Sequence, residues 1–343
     1  MKLNNILITG VCGTIGRRLL DKLFQLNKNN RIIGIDVNEE QLFLLESQFQ
    51  NHKNISFKYC DIKDIDTLNE VCYKIDLIFH TAALKHVLFC EESPAQAINN
   101  NISGTLNLIK SSINNNVKKV IFTSSDKAVN PTSVMGTSKL MGEKLFTSYN
   151  FKINNKNTIF ASVRFGNVIG SSGSFIPLFY NQILLRKHIT LTDKSMTRFV
   201  MTVDDAVDLM IQSSNKAKGG EVFVFKMDAV KVIDVADAMI ELFSQKIIKK
   251  KIIGSRPGEK LYEELMSNEE LRRTKEYKNY FVIYPPFLKK KFPKNNLINS
   301  KKFNSSNSSY ISKLKIKKII NQNLKMLKPF SISSSAFSPF RKK

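Results

Sequence analysis

Cysteine and histidine are scarce in this chain of 343 residues, four of each, and neither is arranged for chemistry of its own. Cys12, Cys60, Cys72 and Cys90 show no CxxC spacing and no dense even framework, which argues against a disulfide scaffold and a zinc-thiolate site. No pair of histidines has metal-ligand spacing, so no metal is expected. Long apolar runs are missing too. Val117–Thr123, interrupted by two lysines, falls far short of the roughly 20 residues that a membrane span requires. Met1-Lys2-Leu3-Asn4-Asn5 runs straight into a strand-like Ile6–Thr9, leaving no room for the apolar region of a signal peptide. Reduced thiols in a cytoplasmic protein are the expectation.

Acidic residues are outnumbered, 29 against 53 Lys and Arg, for a formal charge of +24. The excess is concentrated at one end: fifteen Lys and Arg and no Asp or Glu lie from Phe287 onward, which leaves +9 for the first 286 residues. Phe292, Phe303 and Tyr310 are too sparse among those lysines to act as stacking platforms, so no specific nucleic-acid partner is expected. Lys, Asn and Ile are favoured throughout, and a coding bias toward A and T produces that pattern without any partner.

What is present is an alternation of β-branched runs and amphipathic stretches, the signature of βαβ units in a doubly wound parallel α/β sheet of the Rossmann type. Strands are expected at Asn5–Thr9, Arg31–Asp36, Ile55–Tyr59, Leu77–His80, Lys119–Thr123 and Thr158–Arg164, with helices at Ile15–Gln25 and Ala97–Asn114. Beyond Gly166 the pattern is irregular, with a strand at Glu221–Lys226, a helix at Val232–Phe243 and a loop at Gly254–Lys260. The expected organisation is a dinucleotide-binding domain over 1–166, its sheet also receiving later segments, and a smaller substrate-binding cap over 167–285. A basic, partly ordered tail over 286–343 follows, with one helix at Ser312–Leu324.

Gly10-Val11-Cys12-Gly13-Thr14-Ile15-Gly16 leaves the first strand and opens the first helix, the context that makes a glycine pattern a phosphate loop. Gly10, Gly13, Thr14, Ile15 and Gly16 are therefore candidate cofactor contacts. Asp36 ends the second strand, where a carboxylate can accept hydrogen bonds from the adenosine ribose. This favours NAD; NADP remains an alternative if Arg17 or Arg18 offsets the repulsion of a 2'-phosphate. Asp61-Ile62 after the third strand suits either adenine recognition or a loop cap. Ser125-Asp126-Lys127 leaves the fifth strand at its C-terminal end, where doubly wound folds bind ligands, and sets an acid beside a base. Gly136-Thr137-Ser138-Lys139 follows at the start of a helix that returns Lys139 toward the cofactor.

With these segments stand Thr81-Ala82-Ala83-Leu84-Lys85-His86-Val87, Arg164-Phe165-Gly166-Asn167-Val168, Met196-Thr197-Arg198 and Arg256-Pro257-Gly258-Glu259-Lys260-Leu261-Tyr262-Glu263-Glu264-Leu265. In this order the chain resembles the extended short-chain dehydrogenases, and among them the UDP-N-acetylglucosamine 4,6-dehydratases and capsule-biosynthesis proteins, over roughly residues 5–285. The resemblance implies a lyase in surface-polysaccharide biosynthesis. Hydride leaves sugar C4 for the nicotinamide, the C5 proton and C6 hydroxyl are lost, and hydride returns to C6. It assigns Lys127 as the base at C5, Asp126 as the acid at C6, and Lys139 to the nicotinamide ribose. Ala82 and Ala83 fall beside the cofactor and Lys85 and His86 beside the sugar. Asn167, Arg198 and Arg256 face the nucleotide diphosphate, and Glu259 a loop or a ribose. A nucleotide-sugar substrate and a homo-oligomer are the further expectations.

One position departs from the pattern. The usual Tyr four residues before the helical Lys is Met135, which has no exchangeable proton, so its task at the C4 hydroxyl passes to Ser125, Asp126 or a water. For Lys127 to act as a base it must be neutral, and burial together with the cations Lys85 and Lys139 is expected to lower its pKa. The rival readings are a nucleotide-sugar epimerase, with or without C5 inversion, a catalytically silent relative, and a nucleic-acid binder using the tail.

Overall fold

The computed structural model describes residues 4–152, 155, 157–171, 173–288 and 303–324. Six parallel strands form in the order expected from the sequence: β1 (Asn5–Thr9), β2 (Arg31–Asp36), β3 (Ile55–Tyr59), β4 (Leu77–His80), β5 (Lys119–Ser125) and β6 (Ile159–Phe165). Later come β7 (Asn167–Val168), β8 (Ile189–Leu191), β9 (Thr197–Met201), β10 (Val222–Phe225), β11 (Asp228–Lys231), β12 (Lys250–Ile252), β13 (Thr274–Glu276) and β14 (Tyr280–Ile283).

The main sheet has nine strands in the order β13-β14-β10-β6-β5-β4-β1-β2-β3. Strands β1 to β6 and β10 run parallel, and the β13–β14 hairpin closes one edge antiparallel to β10. Successive side chains on a strand point to opposite faces, so Ile6 and Ile8 join one apolar cluster and Leu7 the other. Helices Thr14–Leu26 and Val203–Lys216 cover the first face. Helices Ile65–Cys72, Thr105–Asn114 and Val134–Asn150 cover the second. The strand order reverses between β1 and β4, which opens a crevice at the carboxyl ends of the strands.

A smaller lobe lies over that crevice. It contains the β11-β9-β7 sheet, the parallel β8–β12 pair and helices Phe175–Leu184 and Val232–Phe243. The expected helix near the C-terminus forms over Lys313–Gln322 and packs Ile316 and Ile320 beside Val230, Val235 and Met239. Phe303 is buried with Phe199 and Leu265, so part of the basic segment belongs to this core. The remainder, 289–302 and 325–343, lies outside the described residues.

The stretch expected as one helix over 97–114 differs in detail. Pro94–Ala97 is α-helical, Ile98–Gly104 has π-helical bonding, and the α-helix resumes at Thr105. The wider turn holds Asn101 inward, where it accepts from Leu84 N at 2.8 Å and donates to Leu84 O and Ser138 Oγ at 2.9 Å each. Such turns occur frequently at functional sites. Among the described residues no helix is long and apolar enough to cross a membrane, and no cluster of His, Cys, Asp and Glu could hold a metal ion.

Candidate active site

One cleft of about 900 Å³ lies at the switch point of the sheet. Its floor begins at the glycine loop. Gly10 has φ +71°, and a Cβ there would stand 2.7 Å from the backbone of Ala82. At Gly16 a Cβ would reach within 2.2 Å of Gly10 O, so helix and strand approach as closely as backbone allows. Gly13 caps the helix Thr14–Leu26 with no side-chain hydrogen bond, and the positive end of the helix dipole there suits an anion.

Asp36 stands at the other side of this loop. Its Oδ2 accepts from Cys12 N at 3.0 Å, and its Oδ1 accepts from Val37 N at 2.8 Å and Asn38 N at 3.1 Å. Neither neighbouring arginine lines the cleft: Arg18 is paired with Asp204 at 2.6 Å, and Arg17 donates to Gln48. Asp61 and Ile62 do line it, but the Asp61 carboxylate is engaged as a turn cap, accepting from Lys63 N at 2.9 Å, and is ion-paired with Lys63 Nζ at 3.2 Å. Ala82 and Ala83 form the wall next to Gly10.

Strand β5 delivers the acid–base pair. At its end Ser125 Oγ accepts from Lys127 N at 3.2 Å and caps a 3-10 turn over Asp126–Ala128. Asp126 has no exposure and lies behind the cleft wall, while Ser125 and Lys127 line it. Asp126 Oδ1 accepts from Ser125 Oγ and from Lys127 Nζ, each at 3.0 Å. Lys127 Nζ lies 3.2 Å from a second carboxylate, Glu263 Oε1.

The expectation for Lys127 is corrected here. Burial disfavours its ammonium, but Asp126 and Glu263 outweigh burial and hold the amine above the ordinary lysine range. The cation that opposes them is Arg198 rather than Lys85 or Lys139. Lys127 therefore rests as an ammonium. Burial raises the Glu263 carboxyl, against the pull of Lys127.

The resemblance implies no role for Glu263. The segment Arg256–Leu265 lies across the turn after Asp126. Lys260 Nζ donates to Val129 O at 2.7 Å, and Asn130 Nδ2 to Glu264 Oε2 at 2.8 Å. These bonds seat Glu263 opposite Lys127. The signal available in sequence was two adjacent carboxylates in a loop that already carried binding residues.

Lys139, near the start of the helix Val134–Asn150, donates to Thr123 O at 2.9 Å and lines the cleft. Full burial pushes its amine down to about 8. Met135, where a Tyr was expected, is buried against Cys90 and Ala97 and also lines the cleft. Burial lowers the pKa of both Lys85 and His86, with Lys85 adding to the effect on His86, and both line the cleft near Gly173.

Asn167, Arg198, Arg256 and Glu259 complete the lining. Arg198 is anchored by NH1 to Thr197 O at 2.8 Å. Glu259 Oε2 accepts from Thr192 Oγ1 at 3.0 Å, so it does hold a loop. Of the eight buried side-chain polar atoms without a partner among the described residues, Ser124 Oγ, Asn167 Oδ1, Ser174 Oγ and Glu263 Oε2 belong to this lining. Asp126 Oδ2, behind it, is a fifth. Buried polar atoms are normally satisfied, and this concentration points to a polar ligand that completes them.

Fold and cleft together define a Rossmann-type α/β protein with a second lobe over its nucleotide crevice. The chain belongs to the family of polysaccharide biosynthesis proteins, which it matches over residues 6–285. It is 42% identical over 92% of its length to an uncharacterized membrane protein of Methanocaldococcus jannaschii, covering 95% of that protein. It is 37% identical over 82% of its length to a UDP-N-acetylglucosamine 4,6-dehydratase (inverting) of Campylobacter jejuni, covering 83% of it. UDP-glucose 4-epimerase of Rickettsia felis is similar at 36% over 81% of this chain and 82% of that one. The X-ray structure of Pen from Bacillus thuringiensis superposes with a TM-score of 0.87 at 40% identity, over 95% of this chain and 99% of that one.

Proposed function

We propose that this protein is a nucleotide-sugar 4,6-dehydratase that acts on UDP-N-acetylglucosamine, or a close nucleotide hexosamine, with NAD as its resident cofactor. The observation that carries the reading is the Asp126–Lys127 pair at the end of β5, beside a glycine-built dinucleotide crevice. The crevice suits NAD. Gly10 and Gly16 leave room that any side chain would fill, the helix that starts after Gly13 turns its N-terminus to a pyrophosphate, and Asp36 accepts from a ribose while Arg17 and Arg18 are engaged by Gln48 and Asp204.

Bound NAD supplies a store for the hydride removed from C4 and returned to C6. The side chains supply the proton transfers. Lys127 Nζ passes a proton across 3.0 Å to Asp126 Oδ1, leaving an amine that can accept the C5 proton and, behind the wall, a carboxylic acid that can donate to the C6 hydroxyl through Ser125 Oγ. Water leaves, and both residues are back in their starting charge states. Ser125 Oγ, bonded to Asp126 and facing the cleft, is placed to relay to solvent the C4 hydroxyl proton that Met135 cannot take, and a solvent proton replaces the one lost from C5. Asn167, Arg198 and Arg256 bind the diphosphate, for which a guanidinium fork is suited. Lys85 and His86 flank the sugar, and Lys139 holds the nicotinamide ribose.

Incubation with UDP-N-acetylglucosamine in deuterated water tests the reading. The expected product is a 4-keto-6-deoxy sugar with deuterium at C5 and no net NADH. Similarity to 4-epimerases supports a second reading, in which C4 inverts, the C6 hydroxyl stays and C5 takes up no deuterium. A 4-epimerase needs neither a base at C5 nor an acid at C6, so the pair at Asp126–Lys127 favours dehydration.

A further inference from the structure

The carboxylate of Glu263 takes part in none of the steps above, yet it is 1% exposed and forms part of the cleft wall. Its backbone is fixed on both sides by Ser305: Glu263 N donates to Ser305 Oγ, and Ser305 N to Glu263 O, both at 2.9 Å. From that mooring Oε1 reaches Lys127 Nζ at 3.2 Å, while Asp126 Oδ1 holds the same nitrogen at 3.0 Å. One amine therefore stands between two carboxylates. Each carboxylate keeps its second oxygen, Glu263 Oε2 and Asp126 Oδ2, buried and without a hydrogen-bond partner among the described residues.

We propose that Glu263 is a positioning residue for Lys127: with Asp126 it holds the amine at the cleft wall as an ammonium, and the strength of that hold sets when the amine is free to act as a base. The charges facing the unit are few. Arg198 acts on both Lys127 and Glu263, and Lys260, bonded to Val129 O, acts on Glu263. A donor from a ligand to Glu263 Oε2 would weaken the hold, because it draws carboxylate charge away from the amine. The catalytic consequence rests on the dehydratase reading, whereas the hold itself belongs to the unliganded protein.

The test is the Glu263→Gln variant of the full chain, which keeps the shape and an oxygen able to accept from Lys127 but removes the charge. Competitive labelling with trace acetic anhydride over a range of pH, with peptide mass spectrometry, reads the midpoint at which Lys127 becomes nucleophilic. In Glu263→Gln the midpoint should fall by about one unit, so that labelling below the midpoint rises about tenfold. Glu263→Asp, which keeps the charge but retracts it, should fall in between. If Glu263→Gln fails to fold, judged by circular dichroism, the intermediate midpoint of Glu263→Asp carries the test. An unchanged midpoint in the folded variants overturns the proposal.

Deuterium exchange at C5 of UDP-N-acetylglucosamine is followed on the same samples, and its acid limb should move down with the labelling midpoint. A labelling shift with no C5 exchange in any sample, wild type included, upholds the hold by Glu263 and overturns the dehydratase reading.

Discussion

Lys139 Nζ donates to the carbonyl of Thr123 at 2.9 Å, joining the helix Val134–Asn150 to the strand that leads into Asp126 and Lys127. The amine is enclosed, lies 4.9 Å from the centre of the Phe122 ring, and is pushed from its ordinary 10.5 down to about 8 by burial. Its folded value lies below its unfolded one, so between about 8 and 10.5 the unfolded chain holds a proton that the folded chain has released. This residue therefore makes stability rise with pH through that window, by about 1–3 kcal/mol. Urea unfolding of wild type and Lys139→Met at the two ends of the window checks it. The difference between the two proteins should change by that amount, and an equal pH dependence would contradict the shift.

Lys127→Ala should abolish both product formation and C5 exchange, while dinucleotide binding, which rests on the glycine loop and Asp36, survives. Asp126→Asn keeps the shape and loses the acid, so elimination should slow by about 10²- to 10⁴-fold. Proton NMR in deuterated water separates the two variants. C5 exchange persisting at the wild-type rate in Lys127→Ala would remove it from the role of base.

Cofactor choice turns on Asp36. Titration of cofactor-free protein should show tighter binding of NADH than NADPH, and Asp36→Ala should narrow that preference by removing the like-charge repulsion of a 2'-phosphate. Tighter NADPH binding by the wild type would mean that Arg17 or Arg18 leaves its present partner, Gln48 or Asp204.

Arg164 is fully buried between Glu143 and Glu270, bonded to both and to Leu265 O at 2.9 Å. Arg164→Met leaves two buried carboxylates without their cation and should destabilise the fold by about 3–5 kcal/mol. Chemical denaturation reads this directly. A loss below about 1 kcal/mol would show that the carboxylates find protons or water at little cost.

The six parallel strands were legible because apolar, β-branched-rich runs of four to seven residues have one good structural use in an α/β chain. The π-helical turn at Ile98–Gly104 was not legible, since its apolar spacing also fits an ordinary helix. What selects it is the bond network that Asn101 makes with Leu84 and Ser138. The tail reads as lysine-rich and poor in apolar residues, yet Phe303 finds a core against Phe281 of the main sheet and Phe199, and Ile316 and Ile320 find one on the apolar face of the smaller lobe.

By itself the sequence determined what is local and covalent: the phosphate loop, set by glycine spacing across one strand–turn–helix, and the adjacency of Asp126 to Lys127. Only the tertiary structure decided the charge state of Lys127. That state depends on the summed field of Asp126, Glu263 and Arg198, and Glu263 and Arg198 reach the amine from distant parts of the chain through packing. Arg164 likewise acquires Glu270 from 106 residues away. Electrostatic energy depends on separation in space and on burial, and neither is encoded in distance along the chain.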